Sequence, residues 1–197
     1  MNHSLTAKYW DDRYLKNDFG WDLGQVSPPL KEYFDQLTNK DLFILIPGAG
    51  NAYEAEYLVN NGFTNVFVCD IAPIPLQNLL ERCPKIKASN LLLEDFFELN
   101  HRQFDLIIEQ TFFCAINRSL RKKYFTKAYE LLKPGGKIVG LLFNDVLNED
   151  KPPFGGTKEE YVNYFADLFI PKVYETAYNS VKPRAGRELF INFIKKN

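Results

Sequence analysis

Two glycines, two carboxylates and a set of aromatic rings are the residues here whose types and spacing could do chemistry. Gly48 and Gly50 lie in Leu42-Phe43-Ile44-Leu45-Ile46-Pro47-Gly48-Ala49-Gly50-Asn51, an apolar run that enters a Gly-x-Gly turn. A short apolar run without polar alternation suits a strand buried on both faces of a parallel sheet. Glycines at its carboxyl end let the backbone approach a ligand where side chains would block it. Asp70 closes a second apolar run, Asn65-Val66-Phe67-Val68-Cys69-Asp70, 22 positions after Gly48. An acid about 20 residues beyond such a loop reaches a ribose hydroxyl. Asp95-Phe96 adds a corner whose carboxylate suits an adenine's amino group and whose ring suits its face. Trp10 and Trp21, the only two tryptophans, share one segment ahead of the first strand.

The elements that must position these residues follow in chain order. Residues 6–24 begin as a short helix and dissolve into a turn-rich loop, an arm outside the sheet. Ser27 is placed to cap a helix whose first turn holds Pro28 and Pro29, with Leu30, Phe34 and Leu37 on one face. Asn51 is expected to cap a helix from Ala52 to Asn60, ended by Gly62. A helix follows Pro75, and a weak strand is expected near Ile86 to Leu91. Strand four is Phe104 to Gln110, a helix spans Ser119 to Leu132, and strand five spans Lys137 to Phe143 after the Lys133-Pro134-Gly135-Gly136 break. The 144–156 stretch, with Pro152, Pro153, Gly155 and Gly156, is a candidate lid. Thr157 and Glu160 form a capping box for a helix from Lys158 to Phe169. Two late strands, Lys172 to Tyr178 and Glu188 to Ile194, flank a Lys182-Pro183-Arg184 turn. Alternating strands and helices followed by a hairpin predict an α/β sheet with an antiparallel edge.

At 197 residues the chain has the size of one domain, read as 1–197 with an arm over 1–26 and an α/β core over 27–197. With 24 basic and 25 acidic residues the net charge is -1, which argues against a broad nucleic-acid footprint. No apolar run approaches a membrane span, and the polar start Met1-Asn2-His3-Ser4 does not resemble a signal peptide. Three cysteines without a spaced framework fit a reducing, cytoplasmic setting. With only His3 and His101 and no Cys-x-x-Cys pair, no metal site is expected.

Gly-x-Gly-x-x-Gly would require a third glycine where Tyr53 stands, and no Gly-Lys-Ser/Thr follows Asn51. Both absences weaken the dinucleotide and phosphate-loop readings. A nicotinamide oxidoreductase is therefore the poorer alternative. A ligand with ribose and adenine but no phosphate is S-adenosylmethionine. The Leu131-Leu132-Lys133-Pro134-Gly135-Gly136 turn and the late hairpin resemble the class I methyltransferase fold. More specifically, Tyr9-Trp10-Asp11-Asp12-Arg13-Tyr14 with Gly20-Trp21-Asp22-Leu23-Gly24, Ile46-Pro47-Gly48-Ala49-Gly50, and the Phe104–Ile116 block containing Phe112-Phe113-Cys114-Ala115 resemble the thiopurine methyltransferase superfamily. Within it the similarity is greatest to the thiol and halide methyltransferases of plants.

That resemblance, running from Trp10 to Arg184, implies a Rossmann-like seven-stranded, mostly parallel sheet with an antiparallel C-terminal hairpin and helices on both faces. It implies that Trp10, Trp21, Gly48, Gly50, Asp70, Asp95, Phe96 and Gln110 bind S-adenosylmethionine, with S-adenosylhomocysteine as product. Phe19, Phe112, Phe113, Phe143 and Arg184 would line the pocket of a small-molecule methyl acceptor. Gln110 and Phe143 depart from the plant pattern, each standing where Tyr is expected. The implied reaction is an in-line displacement by a small soft nucleophile, a thiol or sulfide ahead of a halide or thiocyanate. Such a step asks for alignment and a water-poor pocket more than for a base. No catalytic side chain is therefore assigned, and Cys114 is expected to be inert. A larger aromatic thiol, such as a thiopurine, is the nearest alternative acceptor. A non-catalytic cofactor-binding module is the alternative from another class. A monomer or weak homodimer is expected.

Overall fold

The computed structural model describes residues 5–100 and 103–197; His3 and His101 lie outside these residues, as does the Met1–Ser4 start. Strands β1 (Ile44–Pro47), β2 (Val66–Asp70), β3 (Leu91–Leu93), β4 (Phe104–Gln110), β5 (Leu132–Phe143), β6 (Phe169–Thr176) and β7 (Glu188–Lys195) form one sheet. Among the described residues it has seven strands in the order β3-β2-β1-β4-β5-β7-β6. The first five run parallel, and β7 is antiparallel to both β5 and β6. The expected mixed sheet is what the chain forms.

Six helices accompany the sheet among the described residues: α1 (Ala7–Leu15), α2 (Pro28–Asp35), α3 (Tyr53–Asn60), α4 (Pro73–Arg82), α5 (Arg121–Leu131) and α6 (Lys158–Phe165). All four residues of β1 are buried, because helices cover both faces. Leu45 and Ile107 pack with Tyr124, Phe125 and Phe165 of α5 and α6 on one face. Ile44, Ile46, Leu106 and Ile108 pack with Leu30, Phe34, Ala55 and Leu79 of α2, α3 and α4 on the other. Successive strand side chains point to opposite faces, so each strand feeds both cores. The strand order reverses between β1 and β4, and that switch opens a crevice at the carboxyl ends.

Local boundaries differ from the sequence expectation where side chains found distant partners. Ser27 occupies the N-cap position of α2 but makes no side-chain cap bond; its N–H donates to Glu54 Oε1 at 3.0 Å. Helix α3 is capped by Ala52 in the left-handed region, φ 51°, while the Asn51 side chain turns away to Asp22. Helix α5 starts at Arg121 behind a 3-10 turn, Arg118–Leu120. β5 extends back to Leu132, so the expected break is absorbed into the strand. Thr157 does cap α6, accepting from Glu160 N–H at 3.1 Å. That helix ends at Phe165, and Phe169 starts β6 because its ring is buried against Phe125 and Tyr129. The strand expected near Ile86 forms instead at Leu91–Leu93.

Candidate active site

A cavity of about 440 Å³ lies at the carboxyl ends of β1, β2 and β4, within the usual range for small-molecule sites. Its first half comes from β1, β2 and the corner after β3: Gly48, Gly50, Asp70, Ile71, Glu94, Asp95 and Phe96. The second half comes from the loop after β4 and the 144–156 loop: Thr111, Phe112, Cys114, Ala115, Ile116, Asn117, Leu120, Pro152 and Pro153. Trp10, Arg13, Tyr14 and Trp21 of the arm line it as well.

Gly48 and Gly50 both take left-handed backbone, φ 58° and 54°, which a side chain rarely adopts. They serve different ends. A Cβ on Gly48 would lie 2.1 Å from Phe112 Cδ2, so this glycine makes room for a ring of the protein itself. A Cβ on Gly50 would stand 3.6 Å from the Tyr14 hydroxyl and 3.7 Å from Trp21 Nε1, so the arm roofs the loop. Within that roof the Trp21 indole N–H donates to the Tyr14 hydroxyl, Trp10 meets Trp21 edge-on at 5.7 Å, and the Arg13 guanidinium covers the Trp21 ring at 4.7 Å.

Asp70 stands at the end of β2, its carboxylate held by the N–H groups of Gly50, Ile71 and Ala72. Burial pushes its pKa up to about 6, against that hydrogen bonding. Asp95 Oδ1 accepts from Phe97 N–H at 2.9 Å and so fixes the corner that carries Phe96. The Phe96 ring meets Phe112 at 5.5 Å.

The structure brings together Trp10, Trp21, Gly48, Gly50, Asp70, Asp95, Phe96 and Phe112 around this cavity. It does not bring Gln110, Phe19, Phe113, Phe143 or Arg184 into the lining. Strand alternation puts Gln110 on the same side of the sheet as Leu106 and Ile108, and its Oε1 is buried with no hydrogen-bond partner among the described residues. Phe113 is 1% exposed, packed against Tyr124, Phe125 and Tyr161. Phe19 stacks on Tyr14 at 5.8 Å and meets Trp21 edge-on at 6.4 Å, behind the two rings that line the cavity. Phe143 lies under the Arg184 guanidinium at 5.5 Å. The 144–156 loop is tied down rather than free. Phe154 N–H donates to the Cys114 carbonyl at 2.7 Å, and Arg121 Nη2 donates to the carbonyls of Phe154 and Gly155 at 3.1 and 2.9 Å.

Two charged residues that sequence reasoning passed over hold the second half in place. Glu109, wholly buried, accepts through Oε1 from Phe112 and Phe113 N–H at 2.8 and 2.9 Å, and through Oε2 from the Tyr124 hydroxyl at 2.8 Å. Burial pushes its pKa up to about 7. These bonds brace a turn in which Thr111 takes φ 60°, an uncommon conformation for a β-branched residue. Arg121, also wholly buried, adds an ion pair to Glu160 at 3.1 Å and lies 4.8 Å over the Phe113 ring. For Glu109 the available signal was a lone acid ending the apolar run Leu106-Ile107-Ile108; Arg121, in Arg118-Ser119-Leu120-Arg121-Lys122-Lys123, gave none.

The family described as thiopurine S-methyltransferase (TPMT) matches residues 5–190. The chain belongs to this family. As a member it is an S-adenosylmethionine-dependent methyltransferase, and the resemblance read from the tryptophan arm and the Phe-Phe-Cys-Ala block holds at that level. The protein is 27% identical over 188 residues to probable thiol methyltransferase 2 of Arabidopsis thaliana, covering 91% of this chain and 81% of the relative. It is 27% identical over 200 residues to thiocyanate methyltransferase 1 of Brassica oleracea, covering 96% and 84%. Its fold is similar to that of the N-methyltransferase NodS of Bradyrhizobium japonicum WM9, solved with S-adenosylhomocysteine. That match has a TM-score of 0.73 at 16% identity and covers 98% of this chain and 100% of NodS.

The residues present fit the methyl donor of the family. A left-handed glycine loop, a carboxylate held by the N–H groups of Gly50, Ile71 and Ala72, and the Asp95-Phe96 corner face one cavity roofed by indole rings.

Proposed function

We propose that this methyltransferase acts on a small, soft, anionic nucleophile, a thiol or sulfide ahead of thiocyanate or a halide. The observation that carries this reading is the second half of the cavity, whose sole titratable side chain among the described residues is Cys114. Burial pushes that thiol up to about 12, so it cannot take a proton from an acceptor at neutral pH. An acceptor must then arrive already nucleophilic, as thiolates and halides do. The names of the thiol and thiocyanate methyltransferase relatives support the same class.

When bound, S-adenosylmethionine supplies an electrophilic methyl group on a sulfonium. Asp70 would accept from the ribose, Asp95 and Phe96 would hold the adenine, and the backbone of the Gly48–Gly50 loop would face the methionine end. Trp10 and Trp21 would offer ring faces to the positive sulfur, a contact worth about 0.5 to 2 kcal/mol. Phe112, Ile116, Leu120, Pro152 and Pro153 keep the other half apolar. In a dry site the attraction between an anionic acceptor and a cationic donor is stronger than in water. We assign the arm, read over 1–26, as the cover of the site on one core spanning 27–197. The chain is read as a cytoplasmic monomer or weak homodimer. Its three cysteines are free and buried, which suits a reducing compartment.

The test is incubation with labelled methyl donor and a panel of bisulfide, thiocyanate, iodide, thiophenol and a thiopurine. Methylation of bisulfide or thiophenol above the rest is expected. Product from the thiopurine alone would move the assignment to a larger aromatic thiol, and no product from any acceptor would remove it.

A further inference from the structure

Arg184 is expected from the sequence to meet the acceptor, and the structure gives it other work. It ends the 3-10 turn Lys182–Arg184 and is 7% exposed. Its Nη1 donates to Glu188 Oε1 at 3.2 Å, and its Nη2 donates to the backbone carbonyl of Trp21 at 2.6 Å. Glu54, itself 6% exposed, attracts the same guanidinium, which also lies against the Phe143 ring. One side chain thus joins the arm to α3, β5 and β7. Two further hydrogen bonds tie the arm to the core among the described residues, Asp22 with Asn51 and Asp11 with Ile74 N–H at 3.4 Å, and both are made by half-buried side chains.

We propose that Arg184 is a positioning residue: it latches the arm closed over the cavity, and does so in place of binding the acceptor. A guanidinium paired with the buried carboxylate of Glu188 and attracted by that of Glu54 is already neutralised, and its planar fork reaches Glu188 and the Trp21 carbonyl with two separate nitrogens where a lysine offers one. The position of Trp21 matters because its ring lines the cavity and its indole N–H fixes Tyr14 beside Gly50. The consequence for the donor rests on the cavity being the S-adenosylmethionine site.

Both tryptophans of the chain, Trp10 and Trp21, lie on the arm, so indole fluorescence reports the arm alone. In Arg184→Lys and Arg184→Gln, acrylamide should quench the free protein more strongly than wild type. S-adenosylhomocysteine affinity should fall roughly tenfold or more, as expected for losing a charge-assisted hydrogen bond. The acceptor KM, measured at saturating donor, should stay near the wild-type value. Arg184→Lys keeps a positive charge for Glu54 and Glu188, so no carboxylate is left buried without a counter-charge, and a melting curve selects the folded variant for the test. Unchanged quenching overturns the latch, and unchanged quenching with a raised acceptor KM returns Arg184 to the acceptor. Failure of wild type itself to bind S-adenosylhomocysteine would remove the cofactor reading instead, while the quenching contrast would still decide the latch.

Discussion

Along the half of the cavity built from β1, β2 and β3, Asp70, Glu94 and Asp95 present carboxylates, whereas the half built from the loops after β4 and β5 presents mostly apolar side chains, Phe112, Ala115, Ile116, Leu120, Pro152 and Pro153. The charged residues of the second half stand behind its wall. Glu109 and Arg121 are wholly buried, and they bond to the backbone of the loops rather than to the cavity. The first half can therefore discriminate by hydrogen bonding and protonation state. The second discriminates mainly by shape and dryness: of its polar lining residues, Thr111 donates to the Gln110 carbonyl at 2.7 Å and Asn117 accepts from Ser119 N–H at 3.0 Å, bonds spent within the loop.

The two halves touch at Gly48, where the largest effect is expected. A methyl group there would stand 2.1, 2.6 and 2.8 Å from three Phe112 side-chain carbons, at φ 58°. Overpacking costs about 1 to 3 kcal/mol and the left-handed backbone about 1 to 2 kcal/mol, so Gly48→Ala should lose about 2 to 5 kcal/mol of stability. Because Phe112 must move, donor affinity and turnover should fall together. Gly50→Ala has no atom closer than 3.6 Å and carries only the backbone cost, so it should lose less in thermal unfolding. Equal losses in the two variants would show that Phe112 does not couple the halves.

The same division governs what could be read from sequence. β4 and the β1–glycine loop were legible because an unbroken apolar run and a Gly-x-Gly turn are local signals. Asp70 was legible because it follows at a set offset from that loop, and Asp95-Phe96 because an acid beside a ring suits an adenine. The second half depended on contacts between distant residues. Phe112 and Phe113 are adjacent and chemically alike, yet one lines the cavity and the other is core. What separates them is the turn at Thr111, which leaves no pattern in the chain, and the grip of Glu109, whose place at the end of an apolar run marks it as unusual without saying which backbone it holds. The capping roles expected of Ser27 and Asn51 failed for a related reason, since Glu54 and Asp22 claimed their polar groups across the fold. Arg184 illustrates it further: its partner Trp21 lies 163 residues away.

Asp70 gives a sharper, smaller test of the first half. Burial raises its carboxyl from 3.8 to about 6. A raised acid binds its proton more tightly in the folded protein, so its stabilising contribution is complete below the unfolded value and is lost as pH rises through about 6. Donor binding runs the opposite way, because only the carboxylate accepts two ribose hydroxyls. Titration calorimetry with S-adenosylhomocysteine should show affinity rising from about pH 5 to about pH 7.5 while the melting temperature contribution of this group declines. Asp70→Asn should flatten both trends and weaken binding by roughly tenfold. A pH-independent affinity in wild type would take the ribose away from Asp70.

The smallest effect is expected from the one reactive-looking atom of the second half. Cys114 is 6% exposed, borders the cavity, and donates its S–H to the Thr111 carbonyl at 3.2 Å. Desolvation is the leading cause of its raised pKa, with the buried Glu109 carboxylate adding to it and Arg184 and Arg121 opposing. With the thiol pushed up to about 12, the thiolate that a nucleophile requires is essentially absent at neutral pH. Cys114→Ala should therefore change kcat/KM by less than tenfold, under about 1.4 kcal/mol, and iodoacetamide should label the wild-type residue slowly at about pH 8. Fast labelling, or turnover abolished by the alanine, would place a charge-bearing group in the second half. The contrast between a half that reads charge and a half that excludes water would then no longer hold.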